Sequence, residues 1–280
     1  MQLQEFWDRI GMCPQGRSAA EAAEREIAEP RTDPAAVRAA CEMLFDAGTG
    51  EEGFKALQNA LGEDADGMKT LVCLARCAAA VHGAYARRGI ADDIYAATMR
   101  FLSRFTAENL QKYGRPRLLN GWWFWRQLSM REFRLGALEY EMTHDETGRR
   151  CLSLHIPSDA QLTQAELAAS LQRAKTFFAE FYPPYAEAEM LCSSWLLSPA
   201  LPALLPQGSR ILYFQSNFEV LRHDPNADAA LEWIFPDKNT PIADLPETTS
   251  LQKKVKALLL AGGSVGWTLG RLKEDAFRAG

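Results

Sequence analysis

Through the first 115 residues the apolar positions return every three or four places. Val37, Cys41, Leu44 and Phe45 form one such stripe, and Ile94, Ala97, Phe101, Leu102 and Phe105 form another. That spacing lays them along one face of a helix, the face that packs on other helices. Ser18-x-x-Glu21 reads as a capping box and Asp33-Pro34 as a cap followed by a helix-starting proline. Gly48, Gly62, Gly89 and Gly114 read as stop signals. The pattern predicts an all-helical region with no chemistry of its own.

The texture changes at KYGRPRLLNG, residues 112–121, where Gly, Pro and Asn crowd together. We expect a helical domain over 1–117 and a second domain over 118–280. Beyond the boundary WWFWRQLS, EFRLGALEYEM and CLSLHIP read as strands, the last two joined by the polar turn HDETGRR. A long helix follows, opened by a capping box at Thr163-x-x-Glu166 and stopped by Pro183-Pro184. Leu167, Leu171, Ala174, Phe178 and Phe181 run down its buried face. EMLCSSWLLS reads as a strand, SRILYFQS as a helix, and NFEVLR and LEWIF as two closing strands. TSLQKKVKALLLAGG reads as a helix with Leu251, Val255, Leu258 and Leu259 facing inward. Hairpin and crossover strands beside helices make this domain α+β.

Composition narrows the function classes. The 280 residues are 47% hydrophobic and 24% charged with a formal net charge of −5, which suits a globular protein and not a binder of nucleic-acid backbone. No apolar run approaches the ~18–20 residues that span a bilayer. MQLQEFWDRI has no apolar leader, so the expected compartment is the cytoplasm. The cysteines (Cys13, Cys41, Cys73, Cys77, Cys151 and Cys192) form no C-x-x-C pair, and the four histidines are dispersed. Neither a disulfide scaffold nor a zinc site is expected. Cys73 and Cys77, one helical turn apart, read as small buried residues of an alanine-rich helix.

Four segments carry a family likeness: RQLSMREFRLGALEYEM, LSLHIPSDA, CSSWLLSPAL and TSLQKKVKALLLAGG. They resemble the signature segments of a bacterial family of GNAT-like acyltransferase-domain proteins. The element order in 119–236 is also similar to that of the GNAT acyltransferase core. The likeness is best over residues 122–262, and over the N-terminal third it is one of architecture only. It implies an all-helical N-terminal domain followed by a GNAT-like mixed α/β sheet domain. It also implies an acyl-CoA substrate (acetyl-CoA or another) and a small-molecule acceptor; charge, hydropathy and Cys/His spacing add the expectation of no nucleic acid, membrane or metal, and a protein partner stays open.

One departure from ordinary GNAT enzymes stands out. Where the third strand enters the long helix, they carry Gln or Arg, Gly three places on, and Gly or Ala two beyond. Those glycines let backbone N–H groups close on the coenzyme A pyrophosphate. Residues 155–166 hold no glycine. Elsewhere Gln111 and Gly114 are followed by Pro116, and Gly136 is preceded by Phe133. Pro157 removes a donor, and Asp159 and Glu166 bring negative charge to the junction. Side-chain cations are then expected to help: Arg126, Arg131 and Arg134, with Lys253, Lys254 and Lys256 as another source. Ser158 and Trp195 complete the coenzyme A candidates, and Trp122, Trp123 and Trp125 suit stacking on adenine or packing between domains.

Acyl transfer to an amine needs a base for the amine proton, a polarised thioester carbonyl, and an acid for the departing thiolate. Alternation puts Ser153 and His155 on one face of their strand, and Glu139 and Glu141 on one face of the strand before it. If those faces coincide, two carboxylates and an imidazole share a side of the sheet, and His155 or Glu141 is the base. Ser193 stands where members of the family often carry a histidine, which removes a base there. Cys192 has no partner for a nucleophilic pair and reads as a buried thiol. Tyr213 falls where GNAT enzymes often place a tyrosine acid. Two readings stand: an acyl-CoA-dependent N-acyltransferase with an unidentified amine acceptor, or a non-catalytic GNAT-like module that binds a small molecule or a protein. The first requires the sheet to splay into a slot for a pantetheine arm.

Overall fold

A computed structural model describes residues 1–28 and 33–277, and by contact the chain divides after Leu135. The first unit holds α1 (Leu3–Ile10), α2 (Pro14–Ile27), α3 (Pro34–Met43), α4 (Gly50–Leu61), α5 (Met68–Arg87), α6 (Asp92–Met99), α7 (Phe101–Tyr113), α8 (Trp125–Leu128) and a short strand, β1 (Glu132–Leu135). α5 is its centre. Leu71, Val72, Leu74, Ala75 and Ala78 are fully buried there, and α1, α2, α3 and α4 pack on it. β1 packs with α6, where the Arg134 backbone N–H donates to Thr98 Oγ1 at 3.0 Å.

Asp33 caps α3 as expected, its Oδ1 accepting from Ala35 N at 2.9 Å. Ser18 is not a cap. α2 starts earlier, at Pro14, with Cys13 Sγ accepting from Gly16 N at 3.4 Å; proline has no N–H to satisfy, so the helix opens there. WWFWRQLS is not a strand. Gly121–Trp123 is a 3-10 turn leading to α8, and the buried residues Gly121, Phe124, Trp125 and Leu128 fall at helical spacing. Gly67 opens α5 at φ 69°, and a Cβ there would stand 2.2 Å from the Leu118 carbonyl oxygen. Only glycine permits so close a backbone approach.

The second unit holds β2 (Leu138–His144), β3 (Arg150–His155), α9 (Gln164–Phe181), β4 (Glu189–Ser194), α10 (Leu201–Leu204), α11 (Arg210–Ser216), β5 (Phe218–Asp224), α12 (Ala230–Ile234), α13 (Ser250–Leu260) and β6 (Trp267–Leu272). The chain is therefore α+β, with helices first and a mixed sheet after. The strands of this unit follow the order β2-β3-β4-β6-β5. β3 and β4, joined through α9, are parallel, and the other neighbours are antiparallel. α9 covers one face: its Ser170 Oγ lies 3.1 Å from the Tyr140 hydroxyl and its Phe178 ring meets the Tyr140 ring.

Three expectations change in this unit. LEWIF is helical up to Ile234, because the buried pair of α12, Ala230 and Ile234, is one turn apart. EMLCSSWLLS leaves the sheet after Ser194, whose Oγ accepts from Leu196 N at 3.1 Å and turns the chain into a 3-10 segment. β6 has no counterpart among the expected strands, since Gly266 and Gly270 interrupt its alternation, yet it lies between β4 and β5. α10, α12 and α13 close over a cluster around Leu201, Ile234, Val255 and Val265.

Gly67→Ala is expected to cost about 2–5 kcal/mol, the left-handed backbone adding to overpacking against Leu118. Gly114→Ala, at φ 71° with nothing within 4 Å of the added Cβ, carries only the backbone share. Denaturant unfolding of both variants measures the difference.

Candidate active site

β3 and β4 pair through three rungs, Cys151↔Glu189, Leu152↔Met190 and Ser153↔Leu191. Pairing between them then stops, although β3 runs on to His155 and β4 to Ser194. Each strand is held from its outer side. Leu154 and His155 stay opposite Tyr140 and Glu139 of β2, and Cys192, Ser193 and Ser194 stay opposite Gly270, Leu269 and Thr268 of β6. The two strands are thus fixed outside and part inside, at their C-terminal ends. In α/β sheets such ends are where ligands bind.

The β2–β3 register decides the polar face. Glu139 stands opposite His155 and Glu141 opposite Ser153, so all four side chains lie on one side of the sheet, as the alternation requires. His155 Nε2 is 3.0 Å from Glu141 Oε2. Glu139 and Glu141 are buried and His155 is half-buried.

A cavity of about 330 Å³ opens on the same face, lined by Ser153, Leu191, Ser193, Leu269 and Arg271 among others. Arg271 reaches Glu189 at 3.4 Å and Glu219 at 3.5 Å, and Arg149 pairs with Asp145 at 2.9 Å. The Thr147 hydroxyl and the Arg149 backbone N–H hold the Asp145 carboxyl well below the usual carboxylate range. Ser193 accepts from Trp267 Nε1 at 2.8 Å, a contact hidden from sequence reasoning together with β6. Cys192 points to the opposite face, where complete burial pushes its thiol up to about 12. It is no nucleophile.

The junction between β3 and α9 spends its own donors. Ala160 N donates to Pro157 O at 2.9 Å, and Thr163 Oγ1 accepts from Glu166 N at 3.3 Å. Only that half of the expected capping box forms. Thr163 N turns to Gln161 O, and the Glu166 carboxylate takes the Thr163 hydroxyl at 3.0 Å instead. A cation does reach this loop: Arg210 Nη1 donates to Gln161 Oε1 at 3.2 Å. Sequence reasoning passed over Arg210, and its signal was a positive charge at the first position of a helix, where the dipole disfavours one.

The remaining candidates scatter. Ser158 is exposed in the junction. Trp195 is off the strand and packs half-buried on the cluster around Leu201 and Val255. Tyr213 sits on α11 with its ring 6.4 Å from Phe277. In the first unit, the Arg126 guanidinium lies 4.0 Å over Trp123 and 4.7 Å over Trp125, and Arg131 lies 5.5 Å over Trp125. Lys256 pairs with Glu247 at 3.1 Å, while Lys253 and Lys254 are exposed.

Two family models match the chain, an N-acyltransferase N-terminal domain over residues 1–130 and a GNAT-like C-terminal domain over residues 133–272. The likeness therefore reaches the helical region in sequence as well as in architecture. Among solved structures, the chain is similar to an acyltransferase in complex with decanoyl-CoA and teicoplanin, at 23% identity and TM-score 0.76 over 96% of this chain and 87% of that one. A mutant acyltransferase in complex with octanoyl-CoA matches at 22% identity and TM-score 0.78 over the same shares, 96% and 87%. At such identity the likeness speaks to fold. Curated protein sequences give no match.

Cys192 is expected to resist a thiol-specific aromatic disulfide reagent in the native protein near pH 8 and to react once the chain is unfolded in urea. Labelling of native Cys192 at the rate of an exposed thiol would contradict the burial described above.

Proposed function

The chain belongs to the family defined by the GNAT-like C-terminal domain, here joined to an N-acyltransferase N-terminal domain, and we propose that it moves an acyl group from an acyl-CoA to an amine. The parting of β3 and β4 beyond Ser153 and Leu191 carries this reading. A pantetheine arm is an extended chain of amides, so it can lie between two strand edges as a further strand would. Arg210 meets the phosphates and supplies the charge that a glycine-free junction lacks.

His155 is the base, oriented through Nε2 by Glu141. As the amine nitrogen bonds to the thioester carbonyl carbon, His155 takes the amine proton; the C–S bond then breaks, and the departing thiolate takes a proton from water. The acceptor enters on the polar face, where Ser153 lines the cavity beside His155. The acyl chains in the similar structures, decanoyl and octanoyl, support a medium-length donor over acetyl-CoA. The acceptor is an amine of unidentified structure. A non-catalytic GNAT-like module that binds a small molecule or a protein is the second reading, favoured by the glycine-free junction and by Ser193 where the resembling family often carries a histidine.

Titration of acetyl-, octanoyl- and decanoyl-CoA against the unfolding temperature tests the donor. A ligand at ~100 times its dissociation constant adds about 2.7 kcal/mol of stability, and no shift with any of the three sinks the proposal. Release of coenzyme A in the presence of amines then separates turnover from binding alone.

His155→Ala is expected to lower turnover by about 10²–10⁴-fold with donor binding intact, and full activity there removes the base assignment. Arg210→Ala is expected to weaken donor binding by about 10–100-fold, the worth of a charged hydrogen bond, while leaving turnover at saturation unchanged.

A further inference from the structure

Three arginines among the described residues line the cavity on the polar face of the second unit, and one of them differs from the other two. Arg149 Nε donates to Asp145 Oδ2 at 3.0 Å, and Arg222 Nη1 donates to Glu146 Oε1 at 2.7 Å. Those two pairs satisfy charge and hydrogen bonding together. Arg271 has only longer ion pairs, 3.4 Å to Glu189 and 3.5 Å to Glu219, outside the usual N–H···O distances. Its Nε is shut off from solvent and has no hydrogen-bond partner among the described residues. A buried donor left unmet destabilises the fold, and a guanidinium presents its donors as a planar fork. Glu189 and Glu219 are 41% and 61% exposed, so both can turn to water when a better-placed carboxylate arrives.

Register sets what surrounds that fork. Arg271 of β6 stands opposite Leu191 of β4, and Leu191 stands opposite Ser153 of β3, so the three share one side of the sheet. His155 follows Ser153 by two places on that side, about 7 Å along the strand. Leu191, Leu269, Ser153 and Ser193 line the cavity with Arg271. Ser193 already accepts from Trp267 Nε1, which leaves its own O–H to donate. We propose that the acyl acceptor is an amine that also carries a carboxylate, an amino acid or a short peptide, and that Arg271 receives the carboxylate. This rests on the reading of the polar face as the acceptor's side. A planar monoanion matches a single guanidinium, its two oxygens taking two donors of the fork. A phosphate dianion would bring a second negative charge against Glu189 and Glu219 with no further cation to meet it. A simple alkylamine would leave the Arg271 donors as they are.

The test measures coenzyme A release from octanoyl-CoA by the full-length chain, with glycine and phenylalanine set against their amides. Each acid is expected to exceed its amide in kcat/KM by about 10–100-fold, the worth of a charged hydrogen bond, with the difference in KM. Arg271→Gln brings that ratio near one, and Arg271→Lys, which keeps the charge and loses the fork, recovers part of it. Glu189→Gln separates a binding role from a brace between strands. If Arg271 only braces, losing its partner weakens selection for the acid; if it binds, losing a rival carboxylate strengthens selection. Binding is read apart from turnover by the shift in unfolding temperature with N-octanoylglycine and N-octanoylglycinamide. A shift specific to the acid and removed by Arg271→Gln supports the carboxylate site even where no amine is turned over, and acyl transfer is then what fails. Acid and amide used or bound alike by wild type, or selection for the acid that survives Arg271→Gln, overturns the proposal.

Discussion

Three rungs of parallel pairing between β3 and β4 hold the second unit together at the point where it also opens. Parallel pairing is satisfied rung by rung, and a strand that leaves its neighbour gives up hydrogen bonds on that edge. Here each strand is committed on its outer side, β3 to β2 through six rungs and β4 to β6 through four. Those antiparallel pairs keep both strands extended past the end of their mutual contact. The divergence is therefore built into the sheet and does not depend on a loop moving aside.

The two sides of this sheet do different work, and single-residue alternation assigns them. Towards α9 the sheet buries Leu152, Leu154, Cys192 and the Tyr140 phenol, whose pKa burial pushes up while Ser170 satisfies its hydroxyl. On the opposite side stand Glu139, Glu141, Ser153, His155 and Ser193. Cys192 and Ser193 are adjacent in β4, yet one is inaccessible and the other exposed. A one-residue slip in register would bury the carboxylates under α9 and expose the leucines, so the apolar contact with α9 also fixes which groups share the polar face.

The β3–α9 junction holds no glycine and satisfies its own donors. Pro157 and Thr163 tie the loop to itself, so its backbone has few groups to offer. Arg210 comes from a different helix and reaches the same loop through Gln161.

Much of the local structure was legible in the chain because it is written within a few residues. The stripe along α9, the proline-started α3, the hairpin at Asp145 and the polar alternation of β2 and β3 all depend on near neighbours. Aromatic density hid the helical spacing of Gly121, Phe124, Trp125 and Leu128, and glycine hid β6. The place of β6 between β4 and β5, the length over which β3 keeps β4 and the approach of Arg210 to Gln161 are of another kind. Each joins positions far apart in sequence, and which edge or side chain finds which partner is settled by packing the whole unit, a constraint that no local period carries.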